Sequence, residues 1–332
     1  MNKAAVLLLL FGFVIVIIPA AIVIPFTQKA SGEMTKQQNT TKSAAHAAQN
    51  NSITVSVYRS NQKVTDQVAL DDYLVGVVAS EMPAKFRLEA LKAQAIAART
   101  YIMSRMINNP EVRVNDTVQN QVYHSPDELK TLWGKDYEKK IKKIMQAVTE
   151  TKNQVVTYDG KLISPVFFST SNGRTENAKD YWSNDIPYLR SVPSPWDKLS
   201  PRYKNKQTLS IQSVEQALGI DLNGVQGAIG KVIKKTDTGH IAEIEIDGKQ
   251  FTGREVREKL KLSSTDFQLT KNGNTLQAVT VGSGHDVGMS QYGAEGMARE
   301  GKTAKQIITY YYQGTQISKM TVKPQKATAK KS

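Results

Sequence analysis

The 332-residue chain contains no cysteine. That removes disulfides, thiolate nucleophiles and zinc–thiolate centres together, and it leaves the redox state of the compartment unrecorded. Histidine is nearly as scarce. His46, His124, His240 and His285 are the full set, too few and too scattered for a metal centre, and neither metal nor cofactor is expected. No G-x-S-x-G, H-E-x-x-H or phosphate-cradling glycine loop occurs. "SNQK" at 60–63 matches S-x-x-K, but without an S-D-N or K-T-G partner. Acidic residues are outnumbered, 30 against 44 Lys and Arg, for a net charge of +14. Such an excess points to a polyanionic partner. Nucleic acid is not expected, because no RNP-like aromatic segment, zinc-finger spacing or recognition-helix pattern is present.

What is abundant first is apolar length. Residues 4–26, "AAVLLLLFGFVIVIIPAAIVIPF", carry no charge, long enough for a helix to cross a hydrocarbon core of roughly 30 Å. A cleaved signal has an apolar region of only about 7–15 residues, and no A-x-A site follows closely. Residues 1–27 therefore read as a single-pass membrane anchor. The flanking lysines, Lys3 against Lys29, Lys36 and Lys42, leave its orientation open. Residues 28–51 are polar and poor in large apolar side chains, a flexible linker. Residues 52–317 form the folded ectodomain, with 205–280 as an inserted second lobe, and 318–332 form a basic, disordered tail. Strand-like alternation ("ITVSVYR"), hairpins around "YDGK" and "IDGK" and several helical stretches intermix without internal repeats, so the class is α+β. "TVQNQVYH" reads as a strand, and 127–150 as one charged helix.

Within "GVVASEMPAKFRLEALKAQAIAARTY", at 76–101, one carboxylate, Glu81, interrupts an apolar run. Asp71 is placed to cap the helix leading to it. Met82 precedes a proline and is pushed from the α region, so that helix ends there. Glu81 then sits at a helix C-terminus, where the dipole disfavours negative charge. Val77 and Val78 lie on its face. Desolvation and dipole both raise its carboxyl, as a general acid requires. The alternative is a glutamate simply exposed at a helix end. The next helix carries Leu88, Leu91, Ala95, Ala98, Ile102 and Met106 at three-and-four spacing, one core-facing stripe. Arg99 falls at its margin. It either reaches a pocket, to hold substrate or orient Glu81, or drapes its stem over the core.

Two further patches are dense in polar groups. "FFSTSNGRTENAKDYW" packs Ser169, Thr170, Ser171 and Gly173 after a buried strand, with Tyr181 and Trp182 close behind. Hydroxyls and aromatics suit sugar recognition, though an ordinary polar loop has the same composition. "GSGHDVGMSQYGA" gathers His285, Ser290, Gln291 and Tyr292 among glycines, either a functional loop or a glycine-rich turn into a helix.

These blocks, with "DGKQFTGREVREKLKLSSTDF", occur in an order that closely resembles the SpoIID/LytB family of endospore-forming bacteria, over roughly 53–314. The resemblance implies a two-lobed ectodomain with a central glycan-binding groove. It implies a peptidoglycan lytic transglycosylase acting on strands already stripped of stem peptides. The implied partners are the denuded glycan, the amidase stage II sporulation protein P and the polytopic membrane protein stage II sporulation protein M. The implied location is the engulfing mother-cell membrane and sporulation septum, with the ectodomain extracytoplasmic. The family's catalytic glutamate falls on Glu81 and its helix arginine on Arg99. Its Ser/Thr/Gly patch falls on 169–175, and its glycine-histidine loop on Gly284, His285, Gly288, Ser290 and Gln291. His124 remains as a polar site residue or a structural histidine. Two departures stand out. Asp286 replaces the middle glycine of G-H-G-x-G-M-S-Q, so the backbone there must avoid a glycine-only conformation. Gln119 and Asn120 occupy positions where some relatives place zinc ligands, so zinc is not inherited.

One glutamate suffices for this chemistry, because a lytic transglycosylase uses the substrate's own C6 hydroxyl as nucleophile. Hydrolases usually need two carboxylates about 5–9.5 Å apart; Glu81 with Asp286 or Glu176 would be that alternative. A non-catalytic protein that binds denuded glycan and activates or localises an amidase is the other.

Overall fold

The computed structural model describes residues 53–320. The expected anchor, the linker and most of the basic tail lie outside the described residues. Among those described, no helix is long and apolar enough to cross a membrane. The architecture is α+β.

The chain opens with a hairpin, β1 (Thr54–Arg59) and β2 (Val64–Ala69), paired antiparallel from Thr54↔Ala69 to Arg59↔Val64. Helix α1 (Leu70–Glu81) follows without a break. It starts one residue before Asp71, which is therefore no cap but lies in the first turn with Asp72, where negative charge suits the dipole. Its end is as the proline dictates: Met82 is extended, at φ −121° and ψ 139°.

Helix α2 (Leu88–Asn108) is the axis of the larger core. Leu91, Ala95, Ala98 and Ile102 are buried as their spacing predicts, but so are Ala90, Ala93, Ile96, Ala97 and Met103. The helix is wrapped on nearly all sides rather than along one stripe. Its small residues are the reason, because alanines let neighbours approach from several directions. Thr100 shows how closely: its Oγ1 donates to Ile96 O and accepts from Val156 N at 2.9 Å.

Past β3 (Arg113–Asn115), which pairs parallel with β1, residues 117–124 are irregular rather than the expected strand. The charged stretch that follows is two helices, α3 (Pro126–Trp133) and α4 (Tyr137–Glu150), parted at Gly134. Ser125 and Glu128 close a capping box at the start of α3. Strands β4 (Gln154–Tyr158) and β5 (Lys161–Leu162) form the "YDGK" hairpin, and β6 (Phe167–Phe168) and the short α5 (Ala178–Trp182) lead out of the first half.

A second, separate core is built from Val214, Ile241, Ile244, Val256, Leu269, Leu276 and neighbours, all between 209 and 278. It comprises β7 (Lys204–Ser210), α6 (Ile211–Leu218), β8 (Gly227–Ala228), β9 (Lys231–Lys235), β10 (Ile241–Ile246), β11 (Lys249–Thr252), α7 (Gly253–Leu260), β12 (Phe267–Asn272) and β13 (Thr275–Val281). Its sheets run β7-β13-β12-β8 and β11-β10-β9. The chain then returns to the larger core through β14 (Met289–Ser290), parallel to β6, then α8 (Gln291–Arg299), α9 (Ala304–Tyr311) and β15 (Gln316–Lys319), which pairs with β4. Buried Glu295 of α8 accepts from Arg87 N and so serves the open N-terminus of α2.

Candidate active site

Glu81 is the last residue of α1, and its half-buried carboxylate Oε1 accepts from Val122 N at 2.8 Å. Burial pushes its carboxyl above the ordinary value. The Val122 N–H and a hydrogen bond from Gln291 pull partly back. The Val122 contact requires the irregular segment to lie flat on α1. Gly76 permits that: a Cβ there would stand 2.4 Å from the Tyr123 ring and 2.6 Å from His124 O.

Glu81 lines a groove of about 1240 Å³. Its lining includes Tyr101 and Arg105 of α2, Tyr292 of α8, and Arg257 and Glu258 of α7. That volume exceeds the roughly 300–1,000 Å³ of small-molecule sites and suits a segment of polymer. His285 lines it too, among the rings of Phe168, Tyr181 and Trp182 at 5.7, 6.0 and 5.2 Å. Its Nδ1 accepts from Val287 N at 3.2 Å. Burial lowers it to about 4, aided by the nearby Arg257 charge, so at neutral pH it is an uncharged imidazole. Gly288, three residues on, has φ +83° and lies against Val166 O, where a Cβ would be 2.2 Å away. The glycine lets the loop carrying His285 and Gln291 reach the groove.

A family model described as "SpoIID: Stage II sporulation protein" matches residues 58–158. The whole chain is 46% identical to stage II sporulation protein D of Bacillus subtilis (strain 168), with 100% of both covered. It is 43% identical to stage II sporulation protein D of Bacillus amyloliquefaciens, covering 96% of each. It is also 29% identical to the amidase enhancer of Bacillus subtilis, across 74% of this chain and 40% of that protein. The chain belongs to the SpoIID family.

Of the residues that the SpoIID resemblance and the polar patches single out, Glu81, Ser169, Gly284, His285, Gln291 and Tyr292 meet in the groove. Arg99, His124, Thr170, Ser171, Gly173, Tyr181, Gly288 and Ser290 do not line it. Arg99 is only 1% exposed, and its guanidinium is spent on the end of α4 and the start of β4: Nη1 donates to Thr151 O at 2.7 Å and Gln154 O at 3.3 Å, Nη2 to Val148 O at 3.2 Å. Burial lowers it to about 10. It is neither a substrate ligand nor an orienter of Glu81, but the group that satisfies orphan carbonyls at a helix C-terminus. Thr170 and Ser171 are fully buried. Thr170 Oγ1 donates to Ser200 Oγ at 2.8 Å, and Ser171 N and Oγ both donate to Asp197 Oδ2. Gly173 N donates to Ser171 Oγ at 3.1 Å. Ser290 is the N-cap of α8, accepting from Gly293 N at 3.1 Å while donating to Asp197 Oδ1. This patch is inward-facing hardware that ties the Ser/Thr loop to the glycine-histidine loop.

Its hub, Asp197, escaped the sequence reading. Burial raises its carboxyl, against hydrogen bonds from Ser171 and Ser290. Only its isolation as an acid between "PSPW" and "KLSP" could have flagged it. His124 stands behind the groove wall. Its Nδ1 lies 2.7 Å from Ser80 Oγ, and because that hydroxyl already donates to Gly76 O, it accepts the Nδ1 proton. Tyr181 acts through a neighbour, accepting from Arg257 Nη1 at 2.8 Å.

Asp286 has φ +61°, so the backbone does enter the left-handed region. Glycine is at ease there, and Asp visits it more readily than most residues. The carboxyl, 1% exposed, turns away from the groove toward His240 and Ser264. Zinc does not fit the segment where some relatives hold it. Gln119 accepts from Asn115, and Asn120 bridges Asn115 N and Tyr101 OH. These carboxamides are already committed, and they are weaker zinc ligands than thiolate or imidazole.

Proposed function

We propose that this member of the SpoIID family is a lytic transglycosylase that cleaves MurNAc–GlcNAc bonds in peptide-stripped glycan and leaves 1,6-anhydro-MurNAc ends. The observation that carries the reading is Glu81: a half-buried carboxyl with a raised pKa in a polymer-sized groove, with no free carboxylate beside it among the described residues. Asp286 and Glu176, at 1% and 2% exposed, do not line the groove. Glu258 does, but it is exposed and paired with Arg254 at 2.8 Å. A hydrolase working through two carboxylates finds little support in that arrangement.

In the mechanism, protonated Glu81 donates to the departing glycosidic oxygen as the C1–O bond breaks, and the glucosamine leaves with its 4-hydroxyl. The carboxylate then takes the C6 hydroxyl proton of the muramic acid as O6 bonds to C1. Glu81 ends protonated, and no water is consumed. Val122 N–H and Gln291 stabilise the transient carboxylate. Tyr292, braced edge-on against Phe86 at 5.0 Å, and Ser169 supply a face and hydroxyl for the sugar.

We place the activity at the engulfing mother-cell membrane and septum, held by the N-terminal anchor. It follows an amidase of the stage II sporulation protein P type, in a complex with a stage II sporulation protein M-type membrane protein. The similarity to an amidase enhancer favours a second reading, a binder of denuded glycan that stimulates an amidase without cutting. Purified ectodomain on purified denuded glycan separates them. Anhydro-ended products by mass spectrometry are expected from wild type. Glu81→Gln should lower their rate by about 10²–10⁴-fold. Reducing ends would indicate hydrolysis, and no products would leave the binder.

A further inference from the structure

The groove carries more positive charge than its one active acid accounts for. Arg105, Arg202 and Arg257 line it, and none forms an ion pair with an acid among the described residues. Arg202 is exposed, and exposed Arg105 lies over the Tyr101 ring at 4.6 Å. Arg257 is different. It is half-buried on α7, its Nη1 donates to Tyr181 OH at 2.8 Å and its Nε to Ser263 O at 3.4 Å. Nη2 donates to no group among the described residues. Glu258, its neighbour in the groove, is turned to Arg254. Asp286, the acid on which it acts at a distance, is buried and faces His240.

A guanidinium fixed at two nitrogens, its third nitrogen unpartnered among the described residues, on a side chain that lines an open groove, is preorganised for a planar oxyanion. The glycan of the proposed substrate offers one kind. While a stem peptide is attached, the lactyl group of muramic acid is an uncharged amide. Once the peptide is removed, it is a free carboxylate, and the alternating glucosamine stays neutral. We propose that Arg257 binds this lactyl carboxylate, so that the groove recognises peptide-stripped glycan by the charge that stripping creates. The proposal rests on the glycan reading of the groove and is independent of whether Glu81 cuts.

The test uses protein carrying Glu81→Gln, so that nothing is consumed. Its affinity is measured by calorimetry for denuded oligosaccharides with free lactyl carboxylates, and for the same oligosaccharides converted to N-methyl amides. The free acid should bind about 10- to 100-fold more tightly, the range of a charged hydrogen-bonded pair. Adding Arg257→Gln should erase that difference, leaving both forms at the amide's affinity. Arg257→Lys, which keeps the charge but not the fork, should retain a smaller difference and serves if the glutamine variant does not fold. A difference that survives in both variants overturns the proposal. So does an equal loss for both ligands on Arg257→Gln, which would make Arg257 merely structural. Binding without any carboxylate preference sinks this inference and spares the glycan reading; no binding of either oligosaccharide sinks both.

Discussion

At the scale of the residue, Glu81 was legible because its cause is local. The proline ends the helix, and valines on the same face desolvate the last carboxyl. Its partners were not legible, since Val122 and Gln291 reach it only through tertiary contact. They make the pH dependence testable. Glu81 must be protonated to act, so kcat/KM should fall as pH rises through its raised pKa, above the roughly 4.3 of an ordinary glutamate. The Gln291 hydrogen bond favours the carboxylate, so Gln291→Leu removes a lowering influence. The alkaline limb of the pH–rate profile on denuded glycan should then move to higher pH. A limb that stays in place, whatever its height, would remove Gln291 from control of the acid.

At the scale of the element, Arg99 shows where periodicity misleads. Its angle on the helical wheel put it at the margin of an apolar stripe, and margins usually reach solvent. Because α2 is buried on nearly every side, the margin faces the end of α4 instead. No pattern within α2 encodes that, since the carbonyls it serves belong to Val148, Thr151 and Gln154. Arg99→Met keeps the bulk but strands buried acceptors, at a cost on the order of 3 kcal/mol by chemical denaturation. Affinity for glycan per folded molecule should be unchanged, the opposite of what a ligand residue predicts. Gly76 makes a complementary case. Gly76→Ala must push the Tyr123 and His124 segment off α1, because its Cβ would overlap both ring and backbone. Thermal unfolding should come earlier. The Val122 hydrogen bond to Glu81 should lengthen as well, moving the alkaline limb upward in the same sense as Gln291→Leu. A variant that lowers Tm without shifting the limb would mean that Val122 follows Glu81 through the displacement.

At the scale of the whole molecule, the hairpins around "YDGK" in the larger core and "IDGK" in the smaller core were legible in the sequence. Turn chemistry and composition are local. How that core is fastened was invisible, because the fastening consists of buried polar groups from separate stretches. Glu176 accepts from Thr236 and Thr238, Asn172 Nδ2 donates to Thr238 O at 3.0 Å, and Asp286 Oδ2 stands 3.6 Å from His240 Nε2. Burial raises both acids and lowers His240 to about 4. The signs oppose one another. An acid raised in the folded state lends stability that is complete below its unfolded value and fades as pH rises toward the folded one. A histidine lowered to about 4 lends stability that is complete above its unfolded value of about 6.5 and fades as pH falls. Asp286→Asn isolates the acid arm. Asparagine cannot ionise, keeps the shape, and tolerates the left-handed φ of +61°. At low pH, where Asp286 is protonated in both states, the substitution should change stability by less than about 1 kcal/mol. As pH rises the wild type should lose stability relative to the variant, so that urea midpoints measured across pH 4–8 diverge in favour of Asp286→Asn. Parallel curves would mean that Asp286 ionises as readily folded as unfolded, with His240 charged beside it as an ion pair across the two cores.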